Sequence, residues 1–560
     1  MHHLRAVFAA IIAAALGLAV FAGAPVVTVN VVRSDHAMVV AGHPEAAEIG
    51  AEVLRAGGNA IDAAVAVSLA LGVAEPYGSG LGGKLMLLYY NATVGQTFVV
   101  DAMDAAPTSL DVAMARQWTS AERSTGWKSI AVPGLPAGLD AAHRRWGSLP
   151  WSEVVEPARA LAQQGARVEP KTQTLFAERL DRLRNDPDLA RVFLRGGEVP
   201  EVGVRLPNPD MAETLRRLGE AGGVSFYRGE LGQQISAAIL AGGGGITPND
   251  LASYRVRIIQ PMRMSFREFE IVTSPPPSTG AAMFLPVMKA LETALDLDLP
   301  LRDPENLSLV GQVWREVQPR IYAEIADTLD AVTRFEALLD DDYIAALRAK
   351  IGLGGESGLV PALEDTNAST THFVIVDAAG NIVSATQSLS LHFGAGVVVP
   401  GTGIILNDSM SNFSYSDADS PNAVAAGQRP RSTISPTIVF ENGQPRLALG
   451  LPGGSRIPTA MLQVLLDRLT WHRPLEEAIG DVRIHFNPAW RNGGVDALEV
   501  ESGLDLEVIQ ALSNRGWTVE IKEPAGQGLH FGGVNAIEFE AGGGLSGFAD
   551  PRRSNWATGY

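Results

Sequence analysis

Asp365-Thr-Asn-Ala-Ser-Thr-Thr-His-Phe-Val-Ile-Val-Asp-Ala-Ala-Gly-Asn-Ile-Val-Ser-Ala-Thr-Gln-Ser-Leu-Ser-Leu-His-Phe-Gly394 carries two strand patterns, Thr370 to Asp377 and Asn381 to Leu391, on either side of Ala379-Gly380. Short apolar or hydroxyl-rich runs bounded by turn residues predict a β-hairpin. Upstream lie Gly352, Gly354, Gly355 and Gly358, and Glu364 to Ser369 holds no apolar run, so a pliable arm leads into a strand that opens with a threonine pair. A hydroxyl in that position can attack the carbonyl of the residue before it. Breaking the Ser369-Thr370 bond would leave Thr370 with a free α-amine beside its own hydroxyl, and an α-amine titrates near ~8, so nucleophile and base sit on one residue. Threonine is also an ordinary strand former, because its branched Cβ suits a pleated surface, so the pair alone is compatible with a structural role.

Two further stretches accompany the hairpin, Arg429-Pro430-Arg431-Ser432-Thr433-Ile434-Ser435-Pro436 and Leu451-Pro452-Gly453-Gly454-Ser455-Arg456. Taken with Thr370-Thr371-His372, Phe393-Gly394 and Gly403-Ile404-Ile405-Leu406-Asn407, they make a set that resembles the γ-glutamyltransferase family. The order continues upstream in the run from Gly57 to Val67, in Leu81-Gly82-Gly83, in Val132-Pro133-Gly134 and in Pro275-Pro276-Pro277-Ser278, so the resemblance covers the chain from about Ala37 to Tyr560. It implies an α/β fold, the four-layer αββα sandwich of the N-terminal nucleophile hydrolases. It also implies a precursor cut into interleaved large (29–369) and small (370–560) subunits, in place of the three or four domains that length alone suggests. The implied reaction is cleavage of γ-glutamyl amide bonds in glutathione-like donors, through an acyl-enzyme passed to water or an amine, with no cofactor.

By the same resemblance, Thr370 is the nucleophile and Ser369-Thr370 the autocleavage site. Ser388 stands where a second threonine usually hydrogen-bonds the nucleophile. Gly453 and Gly454 match the pair whose N–H groups form an oxyanion hole; glycine keeps side chains away from the reacting carbonyl, and an ordinary tight turn is the alternative reading. Ser432 and Thr433 match the hydroxyl pair that binds the donor's α-carboxylate. Other donor contacts depart from the pattern. Met103 replaces the arginine that clamps that carboxylate, Asn412 an aspartate that pairs with the α-ammonium, Ser409 a glutamine or glutamate, and Ser390 an asparagine or glutamate. Losing one partner of a desolvated charge pair costs on the order of 2–5 kcal/mol, so weak γ-glutamyl binding is expected. Arg431 is read either as a substitute clamp or as a solvated surface arginine. Two alternatives follow: an amidase like the cephalosporin-acylase branch, acting on glutaryl-type donors without the α-amino group, and an inactive exported binding homologue.

Composition narrows the remaining classes. A formal net charge of −18 argues against nucleic acid or anionic membrane surfaces as partners. The absence of cysteine excludes disulfides, thiolate catalysis and thiolate metal sites, and the histidines lack the spacing of a helical metal pair, so no metal is expected. In residues 1–28, Met1-His2-His3-Leu4-Arg5 precedes an apolar run from Ala6 to Val27, as in an export signal or an uncleaved anchor; the expected location is periplasmic or extracellular, on the membrane only if that segment remains. Gly78-Ser79-Gly80-Leu81-Gly82-Gly83 fits a dinucleotide fingerprint in letters, but a helix is expected before it and a strand from Leu85 after it, the reverse of what that turn requires.

Overall fold

The computed structural model describes residues 27–351, 368–488, 494, 496–524 and 529–560. Residues 1–26 of the expected export signal or anchor and the glycine-rich arm up to Asn367 lie outside them.

Two seven-stranded antiparallel sheets form the centre. The first runs Trp556–Gly559, Met38–Ala41, Ala368–Val376, Ile382–Leu391, Lys84–Asn91, Gln96–Ala102 and Arg257–Ile259; the second runs Asn30–Ser34, Leu545–Ala549, Asn535–Phe539, Gln444–Gly450, Thr437–Glu441, Phe269–Thr273 and Met262–Phe266. The hairpin read from sequence is the middle of the first sheet, paired from Val376–Ile382 back to Ala368–Leu391.

Side-chain direction along the hairpin explains why its strands are apolar on both faces. Val374 and Val376 join the core between the sheets, with Ile438, Ala448 and Ile537 from the second sheet. Phe373 and Ile375 point the other way, into helices. Those helices include Pro44–Arg55 and Ala60–Ala74, the latter buried nearly all round and opened by a capping box in which Asn59 and Asp62 satisfy each other's backbone donors. Helices Gly280–Leu291, Pro304–Glu324 and Arg456–Thr470 cover the outer face of the second sheet, packing into the same core. The result is the expected αββα sandwich. A smaller sheet, Ile484–Asn487, Ala497–Ser502 and Thr518–Pro524, flanks it.

Candidate active site

Thr370 lies at an irregularity in the hairpin. Register passes from Ser369↔Ser390 to Thr371↔Gln387, so two residues of the second strand, Ser388 and Leu389, oppose the single Thr370. Such a bulge re-aims side chains, and Ser390 beyond it adopts φ 81°, a left-handed conformation rare for a residue with a Cβ. Phe393 and Gly394 continue the turn at φ 63° and 53°; a Cβ on Gly394 would fall 2.1 Å from the Leu406 carbonyl, which explains the glycine.

The bulge concentrates hydroxyls around one peptide bond. Thr370 Oγ1 donates to Ser388 Oγ at 3.3 Å, and Ser388 Oγ donates a short hydrogen bond to the Ser369 carbonyl oxygen. The Ser390 N–H, at 2.9 Å, holds Ser388 in place. Ser369 is anchored in turn by a short bond from its hydroxyl to the Tyr77 carbonyl. The carbonyl that Thr370 would attack is therefore polarised by the residue that also receives the nucleophile's hydrogen bond.

The surroundings fix this arrangement from both sheet faces. Towards the second sheet, His372 Nδ1 meets Thr386 Oγ1 at 2.8 Å, and the ring packs on Gly450 so closely that a Cβ there would fall 2.3 Å from it. Burial lowers the His372 pKa to about 3, so the ring is neutral. From Gly450 the chain enters the loop with Gly453 (φ 149°) and Gly454 (φ 58°); the Gly454 carbonyl accepts from Thr433 Oγ1 at 2.7 Å. Ser432 lies beside Thr433, its carbonyl receiving the Thr279 N–H at 2.7 Å, so the proline-rich turn before Thr279 supports the serine–threonine pair. Towards the helices, Glu75 caps the end of Ala60–Ala74 and is fully buried. Loss of hydration pushes its carboxyl up to about 7, against the opposing effect of hydrogen bonds from Thr371 and Tyr77.

A second polar cluster adjoins the bulge. Lys84 opposes Ser388 across the neighbouring strand pair, and its side chain is 1% exposed. Its Nζ donates to Ser390 Oγ at 2.5 Å and Ser409 Oγ at 2.9 Å and lies 3.6 Å from Asp104 Oδ2. Ser390 and Ser409 share a hydrogen bond at 2.8 Å, Ser409 donates to Asp104 Oδ2 at 2.5 Å, and Asn412 Nδ2 donates to Ser390 at 3.1 Å. Desolvation raises Asp104 to about 6 and Asp408 to about 7, and it lowers Lys84.

The gamma-glutamyltranspeptidase family model matches residues 46–560. The chain belongs to this family. Acylase ACY 1 proenzyme of Pseudomonas sp. (strain SE83) is 34% identical over 524 residues, 91% of each chain. Glutathione hydrolase proenzyme of Pseudomonas aeruginosa is 33% identical over 547 residues, 92% of this chain and 93% of that one. Among solved structures, a cephalosporin acylase from Bacillus halodurans superposes with TM-score 0.84 at 28% identity over 95% of this chain and 97% of that one. Helicobacter pylori γ-glutamyltranspeptidase gives 0.53 at 28% identity, over 57% and 92%. The chain is thus a γ-glutamyltranspeptidase-family enzyme with the N-terminal nucleophile hydrolase fold.

Within this family frame, the structure brings Thr370, Ser388, Ser390, Ser409 and Asn412 together. It places Met103 in the inter-sheet core, with its carbonyl accepting from Tyr254 Oη at 2.7 Å. Arg431 corrects the sequence reading. It is 8% exposed, not a solvated surface arginine, and its guanidinium binds the Ile325 and Tyr322 carbonyls at 2.5 and 2.6 Å, at the C-terminal end of Pro304–Glu324. Burial leaves its pKa near 10. A guanidinium committed to helix-end carbonyls is not the substitute clamp either. Ser416 to Asp419 face solvent. Lys84, Asp104 and Glu75 escaped sequence reasoning. The available clue was a lone charge, Lys84, at the head of the apolar run Leu85 to Tyr90.

Proposed function

We propose that this chain is a self-processing threonine amidohydrolase and acyltransferase of small amides, with Thr370 as nucleophile. In the precursor, Thr370 Oγ1 attacks the Ser369 carbonyl carbon. Its proton passes to Ser388 as Ser388 gives its own to the developing oxyanion. The C–N bond breaks as the proton on that oxygen moves to the departing nitrogen and the carbonyl re-forms, so Thr370 gains its α-amine, and water hydrolyses the resulting ester to release residues 29–369 and 370–560 as the two subunits. In turnover the α-amine takes the Thr370 proton and delivers it to the leaving amine of the donor. The acyl-enzyme then yields to water or an amine acceptor, with the Gly453 and Gly454 N–H groups as oxyanion donors. Residues 1–28 direct export.

One observation carries this reading: Ser388 bonds both the nucleophile and the carbonyl it would attack. The retained hydroxyls also oppose an inactive binding role. Intact mass and a denaturing gel test it, with two fragments expected, the second beginning at Thr370; a Thr370→Ala chain that still matures and turns over amides overturns it. The donors are γ-glutamyl or related amides. The acylase alternative is favoured by Met103, whose side chain is core, and by Asn412 and Ser390, which bond each other and offer no ion pair to an amino-acid head group.

A further inference from the structure

We infer that Lys84 sets donor choice in this enzyme, selecting acyl groups with no ammonium at the head, glutaryl-type monoamides of dicarboxylic acids, over γ-glutamyl amides. The inference rests on the amidase reading above and identifies the residue that would decide its substrate class.

Three observations carry it. The first is position. Lys84 pairs with Ser388 in register, and Met86 and Leu88 of the same strand point between the sheets, so Lys84 emerges on the inter-sheet side beside the hydroxyl that serves Thr370. The second is hydrogen-bonding capacity. Ser390 Oγ accepts from Lys84 and Asn412 and donates to Ser409; Ser409 Oγ accepts from Lys84 and Ser390 and donates to Asp104. A hydroxyl has one proton and two lone pairs, so both are saturated from within the protein and hold no acceptor for an incoming ammonium. The third is charge. The site already contains an ammonium, nearly fully buried, 3.6 Å from the single carboxylate oxygen it approaches. A second cation would meet repulsion from Lys84 in a low-dielectric surround, whereas a carboxylate could share the Lys84 N–H that faces Asp104. Asp104 and Asp408, the acids facing this lysine, have raised pKa values from burial and can accept protons as a carboxylate arrives.

The test compares kcat/KM for glutaryl- and γ-glutamyl-p-nitroanilide in the processed wild type, Lys84→Met, and Lys84→Met/Asp104→Asn. The double variant removes both charges, so the buried acid is not left without its partner. The wild type is expected to favour the glutaryl substrate by about tenfold or more, and that ratio should fall by about tenfold or more in whichever variants fold. Preference for γ-glutamyl in the wild type, or an unchanged ratio in the variants, overturns the inference while leaving the amidase reading intact. If neither anilide turns over, the amidase reading fails, and equilibrium binding then decides on Lys84. Glutarate bound about tenfold more tightly than L-glutamate, with the difference lost in the double variant, supports it; equal or weaker glutarate binding refutes it.

Discussion

Ser388 is the residue on which both halves of the proposed chemistry converge, since one hydroxyl meets the nucleophile and the carbonyl of the bond to be cut. Ser388→Ala should therefore slow self-cleavage and turnover together, by ~10²-fold, the effect of deleting one oxyanion donor, while Ser388→Thr restores most of both. Time courses of fragment appearance beside anilide turnover read the two. Glu75 gives a prediction of another kind. Its carboxyl holds a proton up to about pH 7 in the folded chain, against an ordinary value of 4.5. The folded state then binds the extra proton, so the associated stability is full below the ordinary carboxylate range and is lost as pH rises through about 7. A shift of this size is worth up to about 3 kcal/mol. Asp104 and Asp408, raised for the same reason, act in the same direction. Unfolding midpoints should fall between about pH 5 and pH 8, and Glu75→Gln should flatten the slope and gain stability at the alkaline end.

The Lys84–Asn91 strand and its glycine-rich approach form the element that presses the hairpin into shape. A Cβ on Gly83 would lie 2.3 Å from the Ser388 carbonyl oxygen, and one on Gly82 would lie 2.0 Å from that of Ile405. These are backbone contacts, which cannot rotate away. Gly83→Ala should cost about 1–3 kcal/mol and displace the bulge that aims Ser388, so processing slows even where the chain stays folded. Thermal midpoint and fragment yield together check this; normal processing at normal stability would contradict it.

At the scale of the molecule, the flanking three-stranded sheet is tied to the sandwich by buried charges. Arg552 bonds Glu501 through Nε and Nη2, both at 2.6 Å, and reaches Asp550 at 3.2 Å; Arg483 Nη2 reaches the same aspartate at 3.2 Å. Asp550 follows the Leu545–Ala549 strand of the sandwich and Glu501 belongs to the Ala497–Ser502 strand of the flank, so the cluster spans the junction. Asp550→Asn leaves arginines buried with too little negative charge and should destabilise the fold by about 3–5 kcal/mol. Because the pairs are shielded from solvent, denaturation midpoints should show that loss with little dependence on salt.

The hairpin, the buried helix after Asn59 and the order of the motifs were readable in the sequence, because strand and helix periodicity are local and a colinear set of motifs needs no coordinates. So were Thr370 and Ser388 as a pair, eighteen positions apart on adjoining strands. Lys84 and Asp104 were not, since their meaning depends on contacts with Ser390 and Ser409 about three hundred residues away. Arg431 was misread for a related reason: exposure is a property of the packed chain, and only the helix end it covers shows what a guanidinium is for. Local pattern and motif order thus determined the fold and pointed to Thr370 as the proposed nucleophile, while the charge of the polar cluster beside it came from tertiary packing that removes water from groups the sequence leaves far apart.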